Sequence, residues 1–440
     1  MILTLSALPL AACGDDDGDD DNATTETETD ADTHDTTDGS NPTTTLDPDS
    51  TSGDAATEPM TDSEGGTTES TATLLERVVT GLGGAEQLDA LAAFELTVSG
   101  VRSVADEGPD PANPIVPAST YETTVSVDIA NEGLRLDVAR TLTFEGLGLP
   151  LDSSEIISGQ LGVTEGIDNL FMAPGGPMLS DRWSSTRRQQ RLFNPHLLIK
   201  EAVADPSIAT EAGAEDYDGR PHEKLELEGT IRPITLWVDS ETSLVSRLTT
   251  LESSWLRRDI EVEVVFADWQ ASDGGVLFPN QVTLLVDGEV IGDETRTAVT
   301  TTIEFPAETF AIPKDSGATY DEELADRGER THTILQQFVS TGLPFFGLQT
   351  LVAAEELADG VWYLTGGTHH SLLVEQEGGL VLFETPLYEP RCLAMLDWID
   401  TNLPGQEVTH AVVSHYHVDH SACARTLVAR GATLVVGEGS

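Results

Sequence analysis

Six consecutive residues, His415-Tyr416-His417-Val418-Asp419-His420, bring together three imidazoles and a carboxylate. In an extended chain, residues two apart point the same way, so His415 and His417 can grip one cation. Asp419 and His420 fall where the backbone is expected to turn into a helix, and so address the same space from another side. Neutral imidazoles and a carboxylate suit Zn²⁺ or another divalent first-row ion. Such an ion lowers the pKa of bound water toward neutrality and makes hydroxide, and two ions about 3.5–4 Å apart could share it.

The elements that must hold this sextet follow from the local pattern. Val361–Leu364, Ser371–Glu375 and Gly379–Glu384 read as short strands between Gly-rich turns. Pro390–Asn402 reads as a helix with Leu393, Leu396 and Ile399 on one face. Val408–Ser414 reads as a buried strand, Ser421–Arg430 as a helix closed by Gly431, and Ala432–Val436 as a further strand. Strands alternating with helices signal an α/β layered structure.

An H-x-H-x-D-H run after a buried strand resembles the metallo-β-lactamase superfamily. Gly366-Gly367-Thr368-His369-His370-Ser371, Val381-Leu382-Phe383-Glu384-Thr385-Pro386 and Gly431-Ala432-Thr433-Leu434 are similar to early parts of that fold. The resemblance covers residues 350–440 and implies the first part of an αββα sandwich, with one or two zinc ions. By that resemblance His415 and His417 bind the first metal. Asp419 and His420 bind the second, and Asp419 also orients the attacking water as the catalytic residue. The family completes its site with further His and Asp ligands downstream, whereas here no His or Asp follows His420. The expectation is therefore a domain that is incomplete at its C-terminal side.

Nearby residues carry weaker expectations. His369 and His370 are candidates for substrate contact or for support of the ligands, and Glu384 for orienting a ligand histidine. His410 reads as a hydrogen-bonded residue of the buried strand. Cys423 is expected to be a buried helix thiol, able to pair with Cys392 in an oxidising compartment.

Upstream the hydrophobic period changes. Leu74–Leu91 has helical spacing interrupted at Gly83-Gly84. From Phe94 the period falls to two, with strands expected at 94–103, 121–130, 133–144, 154–164, 222–229, 233–239, 244–254, 258–269, 281–287 and 296–305. Asn131-Glu132-Gly133 and Asp239–Ser243 read as hairpin turns, and 180–205 as helix or loop. Ile234–Arg247 and Asp268–Pro279 resemble parts of the half-barrel of LolA/LppX-type periplasmic lipoprotein carriers, whose curved sheet wraps a helix and can hold acyl chains. Arg182, Arg187, Arg188 and Arg191 form a basic cluster that could meet a lipid phosphate or a carboxylate, but reads first as a solvated helix face. Trp183, Trp237 and Trp269 read as core.

At the N-terminus, residues 2–12 are apolar and have the length of a signal-peptide core. Leu10-Ala11-Ala12-Cys13 resembles a bacterial lipobox, which implies acylation of Cys13 and a membrane anchor, more than one acyl chain being needed for stable attachment. Residues 14–70 are rich in Asp, Thr, Glu, Ser and Gly and cannot bury enough surface to offset chain entropy, so they read as a disordered tether.

Composition narrows the function. The 440 residues contain 77 acids and 22 bases, a formal charge of −55 that repels nucleic acid phosphates. Three Lys, none preceded by Gly, leave no P-loop. Three Cys exclude a disulfide-stapled scaffold. No apolar run reaches the roughly 18 residues of a spanning helix.

The fold class expected is α+β and multi-domain: a signal peptide (1–13), a tether (14–70), an antiparallel half-barrel-like β domain (71–313), a helical connector (314–349) and a metallo-β-lactamase-like domain (350–440). The function expected is that of an envelope-anchored, periplasm-facing metallo-hydrolase, more at the outer membrane than the inner. It would act on a small-molecule or lipid-like ester, thioester, amide or phosphoester. The alternative is a lipid- or ligand-carrying lipoprotein whose C-terminal part has no catalytic role.

Overall fold

The structure is a computed structural model. It describes residues 72–437 except 106–107, 109–111, 114, 144–145, 169–173, 229–231, 255–257, 332–351, 368 and 387–388. The expectations for the signal peptide, Cys13, the tether, Thr368 and the second half of the connector lie outside the described residues.

Chain entry is fixed by a capped helix. Thr73 accepts from the Glu76 amide and Glu76 returns the bond to the Thr73 amide at 2.8 Å, a capping box that starts α1 (Leu74–Gly81). Leu74, Val78 and Val79 then face inward. Gly83 and Gly84, at φ of 116° and 106°, break the helix before α2 (Ala85–Ala90).

Five strands follow as a meander: β1 (Ala93–Val104), β2 (Val116–Asp128), β3 (Gly133–Leu142), β4 (Leu149–Ser158) and β5 (Leu161–Gly166). Two helices cross over, α3 (Ser180–Phe193) and α4 (Pro195–Ala204), the latter started by Pro195. Seven more strands return: β6 (Ala209–Tyr217), β7 (Arg220–Leu227), β8 (Ile234–Asp239), β9 (Val245–Glu252), β10 (Ile260–Ala271), β11 (Leu277–Val286) and β12 (Glu289–Thr300). Because β12 pairs with β1, the two meanders join into one twelve-stranded antiparallel sheet running from β5 to β6. Its inward positions alternate along most of its strands and share one core with α1, α3 and α4, around Phe94, Leu192, Leu198, Ile199 and Phe278. Burial of each such side chain stabilises the fold by roughly 1.5–3 kcal/mol.

The register refines the sequence reading. The run expected at 154–164 is a hairpin, because Gly159 takes φ 54° and ends β4. Strand β6 was not expected, since its exposed edge needs no apolar alternation. The Asp239–Ser243 turn forms because Asp239 Oδ1 accepts from the amides of Glu241 and Thr242, at 3.0 and 2.8 Å.

The basic cluster on α3 is not the solvated face expected. Arg182 pairs with Glu155 at 2.6 Å and with Asp168. Arg188 is 1 % exposed and lies 3.1 Å from both Glu252 and Glu329. Each buried guanidinium faces acids from other elements, which satisfies its charge where solvent cannot. Glu329 comes from α5 (Glu322–Thr331), which approaches α3 closely because Gly328 has no side chain and Ser184 and Ser185 donate to the Ala325 and Gly328 carbonyls. Trp237 is buried, and Trp183 and Trp269 are half-buried against the core.

The remaining elements build a second sheet. Strands β13 (Ala353–Ala358), β14 (Val361–Thr365), β15 (Ser371–Gln376) and β16 (Gly379–Phe383) are antiparallel neighbours in sequence order. Helix α6 (Glu389–Asn402) leads to β17 (Val408–Val412), which pairs parallel to β16. The short α7 (Val418–Ser421) and α8 (Ala424–Ala429) lead to β18 (Thr433–Val435), parallel to β17. The helix expected from Ser421 to Arg430 is thus two pieces separated at Ala422-Cys423. This sheet has its own core, in which Leu364, Leu373, Leu380, Leu382 and Ala411 meet Met395, Leu396, Ile399 and Leu427. A disulfide joins Cys392 of α6 to Cys423, with Cα atoms 5.3 Å apart. Cys423 is therefore paired and not the free helix thiol expected first. No helix among the described residues is long and apolar enough to cross a membrane.

Candidate metal centre

The His-rich sextet lies between β17 and α7, at the end of the parallel strands where α/β sheets place their sites. It is bent, not extended as the sequence suggested. Ser421 Oγ donates to the Tyr416 and His417 carbonyls, both at 2.8 Å, and gathers the loop into the first turn of α7. Thr385 holds the far side: its amide donates to the His420 carbonyl at 2.9 Å, and its carbonyl accepts from the Cys423 amide at 3.0 Å.

The bend still brings the imidazoles together. Ring centroids of His415 and His417 are 4.7 Å apart, and those of His415 and His420 4.2 Å. Two groups of three have ligand atoms all within 4.8 Å of one another: His415, His417 and Asp419, and His369, Asp419 and His420. Asp419 is common to both. Asp419 Oδ2 is 3.2 Å from His369 Nε2 and 3.6 Å from His420 Nε2. Its Oδ1 is buried with no hydrogen-bond partner, an acceptor that a cation would satisfy.

The charges fit that reading. Burial and the neighbouring His420 and His417 push the His415 pKa down, which favours the neutral imidazole that ligates metals. Burial opposes ionisation of Asp419, but the hydrogen bond from His369 and the charges of His420, His369 and His417 outweigh it. They hold the carboxyl below its usual range.

Glu384 stands behind His420. Its Oε2 accepts from His420 Nδ1 at 2.7 Å, and its Oε1 accepts from the Ser414 amide at 3.1 Å. Glu384 takes φ 61°, a left-handed conformation that costs a non-glycine residue about 1–3 kcal/mol and tends to occur at functional sites. His370 does not join the cluster: its ring packs on Tyr363 at 5.2 Å, and burial, with Arg391 and His369 adding, lowers its pKa. His410 is exposed, not in a core, because the strand register turns it to the open face of β17; its Nδ1 lies 3.1 Å from Thr409 Oγ1. Strand β17 is only half-buried for the same reason, Ala411 alone being fully covered.

Two partners had no sequence signal. The Gly108 carbonyl, from the connection between β1 and β2, accepts from the Tyr416 hydroxyl and lies 2.9 Å from His417 Nε2. Arg391, 1 % exposed, reaches the His369 carbonyl at 3.5 Å and steadies the loop that presents His369. A further bridge between the sheets runs from Arg425 to Asp259 at 2.7 Å and to the Ser254 carbonyl at 3.0 Å.

No family model matches the sequence. No curated protein matches it either. Among solved structures, a metallo-β-lactamase from Pontibacter korlensis aligns at 27 % identity and a TM-score of 0.19, over 20 % of this chain and 44 % of that one. The metallo-β-lactamase FIM-1 from Pseudomonas aeruginosa, in its mono-zinc form, aligns at 21 % identity and a TM-score of 0.18, over 20 % and 42 %. The chain thus spans less than half the length of either. A domain from Vibrio parahaemolyticus assigned to outer membrane lipoprotein sorting aligns at 8 % identity and a TM-score of 0.32, over 51 % of this chain and 93 % of that one.

Proposed function

We propose that the second sheet carries a metal-dependent hydrolytic site centred on Asp419, and that the protein is a metallo-hydrolase. The observation that carries this reading is the sharing of Asp419 between two three-residue groups, His415/His417/Asp419 and His369/Asp419/His420, together with its buried, unpartnered Oδ1. A zinc or similar ion bound there supplies Lewis acidity and a nucleophile drawn from solvent at neutral pH.

The chain's own groups divide the work. His415 and His417 present ring nitrogens toward Asp419 in one group, and His420 and His369 in the other. Glu384 fixes the His420 ring, because a carboxylate that accepts from Nδ1 leaves Nε2 as the ligating atom. Asp419, ionised at neutral pH, can orient an attacking water and accept its proton. The reaction class is hydrolysis of an ester, thioester, amide or phosphoester. Attachment to a bacterial envelope through an acylated Cys13 belongs to the same proposal and rests on the Leu10–Cys13 motif.

Elemental analysis of the purified full chain tests the reading. Stoichiometric zinc that falls away in His415→Ala and His417→Ala, with hydrolysis of a reporter ester or phosphodiester lost in parallel, is the expected result. A folded wild-type protein that takes up no divalent metal on reconstitution would rule it out.

A further inference from the structure

One part of the first sheet's inner face buries charge in place of hydrocarbon. Four neighbouring strands form a row there. Arg140 of β3 pairs with Tyr121 of β2, Tyr121 with Gly100 of β1, and Gly100 with Glu294 of β12. Arg102 lies two residues beyond Gly100 and Arg296 two beyond Glu294, so both share that face. The three arginines are only 4–5 % exposed, in a chain that has 22 basic residues against 77 acidic ones.

Two glycines make this arrangement possible. A Cβ on Gly100 would sit 2.5 Å from Tyr121 Cζ; without it the phenol crosses β1 and donates to Glu294 Oε1 at 2.7 Å. A Cβ on Gly292 would crowd the Arg102 guanidinium at 3.3 Å.

The charges inside do not balance. Glu294 is already taken by Tyr121, and Arg102 approaches it only to 3.9 Å. The nearby acids Glu155 and Asp168 pair with Arg182 and also act on Arg140, so three carboxylates, Glu155, Asp168 and Glu294, stand among the four guanidiniums of Arg102, Arg140, Arg182 and Arg296. Nε and Nη1 of Arg102, and Nε and Nη1 of Arg296, are buried with no hydrogen-bond partner. Leaving a buried donor unmet costs about 1–3 kcal/mol, and more for a charged group. Burial lowers the pKa of Arg140 and of Arg296 to about 10, so both stay cationic at neutral pH. A cavity of about 50 Å³ lies among these groups, room for one small polar ligand. An apolar ligand would leave the donors unmet, and a cation would be repelled.

We propose that this cavity is an anion site that binds a small oxyanion, a phosphate or a carboxylate, through the unmet donors of Arg102 and Arg296. The anion supplies acceptors to the unmet N–H groups and offsets the excess positive charge. The site lies in the first sheet, and the proposal does not depend on the metal centre.

The test uses the full chain, titrated with sodium phosphate, sodium acetate and sodium octanoate at ionic strength held constant with sodium chloride. Melting temperature and calorimetric heat are the readouts. A saturable rise beyond that in chloride is expected. A response to phosphate alone identifies a free or headgroup phosphate; octanoate binding more tightly than acetate identifies the carboxylate of an amphiphile. The ligand-free melting temperature of Arg102→Met and Arg296→Met is recorded beside the titration, because the first change removes the contact with Glu294 and the second the bond to the Phe193 carbonyl. Anion affinity should fall at least about tenfold in each. Absence of saturable binding by the wild type to all three anions overturns the proposal whether or not the variants fold, and so does wild-type affinity in both variants.

Discussion

His420 is held between two carboxylates: its Nδ1 lies 2.7 Å from Glu384 Oε2, while its Nε2 turns to Asp419 Oδ2 at 3.6 Å. The first contact sets the tautomer, and the second sets what the ring faces. Replacing Glu384 with Gln keeps the shape and the Ser414 contact but removes the charge that fixes Nδ1–H. Zinc affinity is expected to drop roughly 10–100-fold, with the far-ultraviolet circular dichroism unchanged. Competition with a chromogenic chelator measures it, and unchanged affinity would remove Glu384 from the site.

The disulfide between Cys392 and Cys423 closes a separation of 31 residues and ties α6 to the segment that follows His420. Loop entropy predicts a loss of about 3–4 kcal/mol when it is removed. Chemical denaturation of Cys392→Ser/Cys423→Ser, or of the wild type under reductant, should show a lower midpoint for the second sheet. Metal affinity should fall with it, because the Cys423 amide also bonds to the Thr385 carbonyl beside the cluster.

Gly100→Ala tests the row across β3, β2, β1 and β12. The added methyl meets the Tyr121 ring at 2.5 Å, so Tyr121 must leave Glu294 or the strands must part. A cost of about 1–3 kcal/mol in thermal or denaturant unfolding is expected. Gly176→Ala, with nothing within 4 Å of the new atom, serves as the control and should stay within about 0.5 kcal/mol.

His196 gives the first sheet a pH dependence. It is fully buried, stacked on Phe278 at 3.9 Å, with Nε2 2.7 Å from the Leu277 carbonyl. Burial lowers its pKa from 6.5 to about 3. Between those values the unfolded chain binds the proton and the folded chain does not. Its contribution is therefore fully present above pH 6.5 and is lost as pH falls toward 3, at up to about 1.4 kcal/mol per pH unit. In His196→Gln, which can still donate to Leu277, urea midpoints between pH 6.5 and 4 should fall less steeply than in the wild type.

The elements with strong local signals are legible in the sequence. The capping box at Thr73, the break at Gly83-Gly84, the period of two through most of 94–303 and the Asp239 turn are decided by neighbours in the chain, and the backbone follows them. The sextet at 415–420 is of the same kind, since one bend can gather residues so close together. Strand β6 escapes because an exposed edge carries no apolar pattern. The arginines of α3 read as solvated because their partners, Glu155, Asp168, Glu252 and Glu329, come from elsewhere in the chain.

Residue types and short spacings by themselves determined which groups could ligate a metal and where strands and helices start and stop. Tertiary structure alone decided that His369 reaches Asp419, that Gly108 meets Tyr416 and His417, that β12 closes on β1, and that Arg102, Arg140 and Arg296 enclose one cavity. The physical reason is range. Capping, turn chemistry and side-chain alternation act over a few residues, whereas strand register and buried charge couple residues up to about two or three hundred positions apart, and only the folded chain sets those distances.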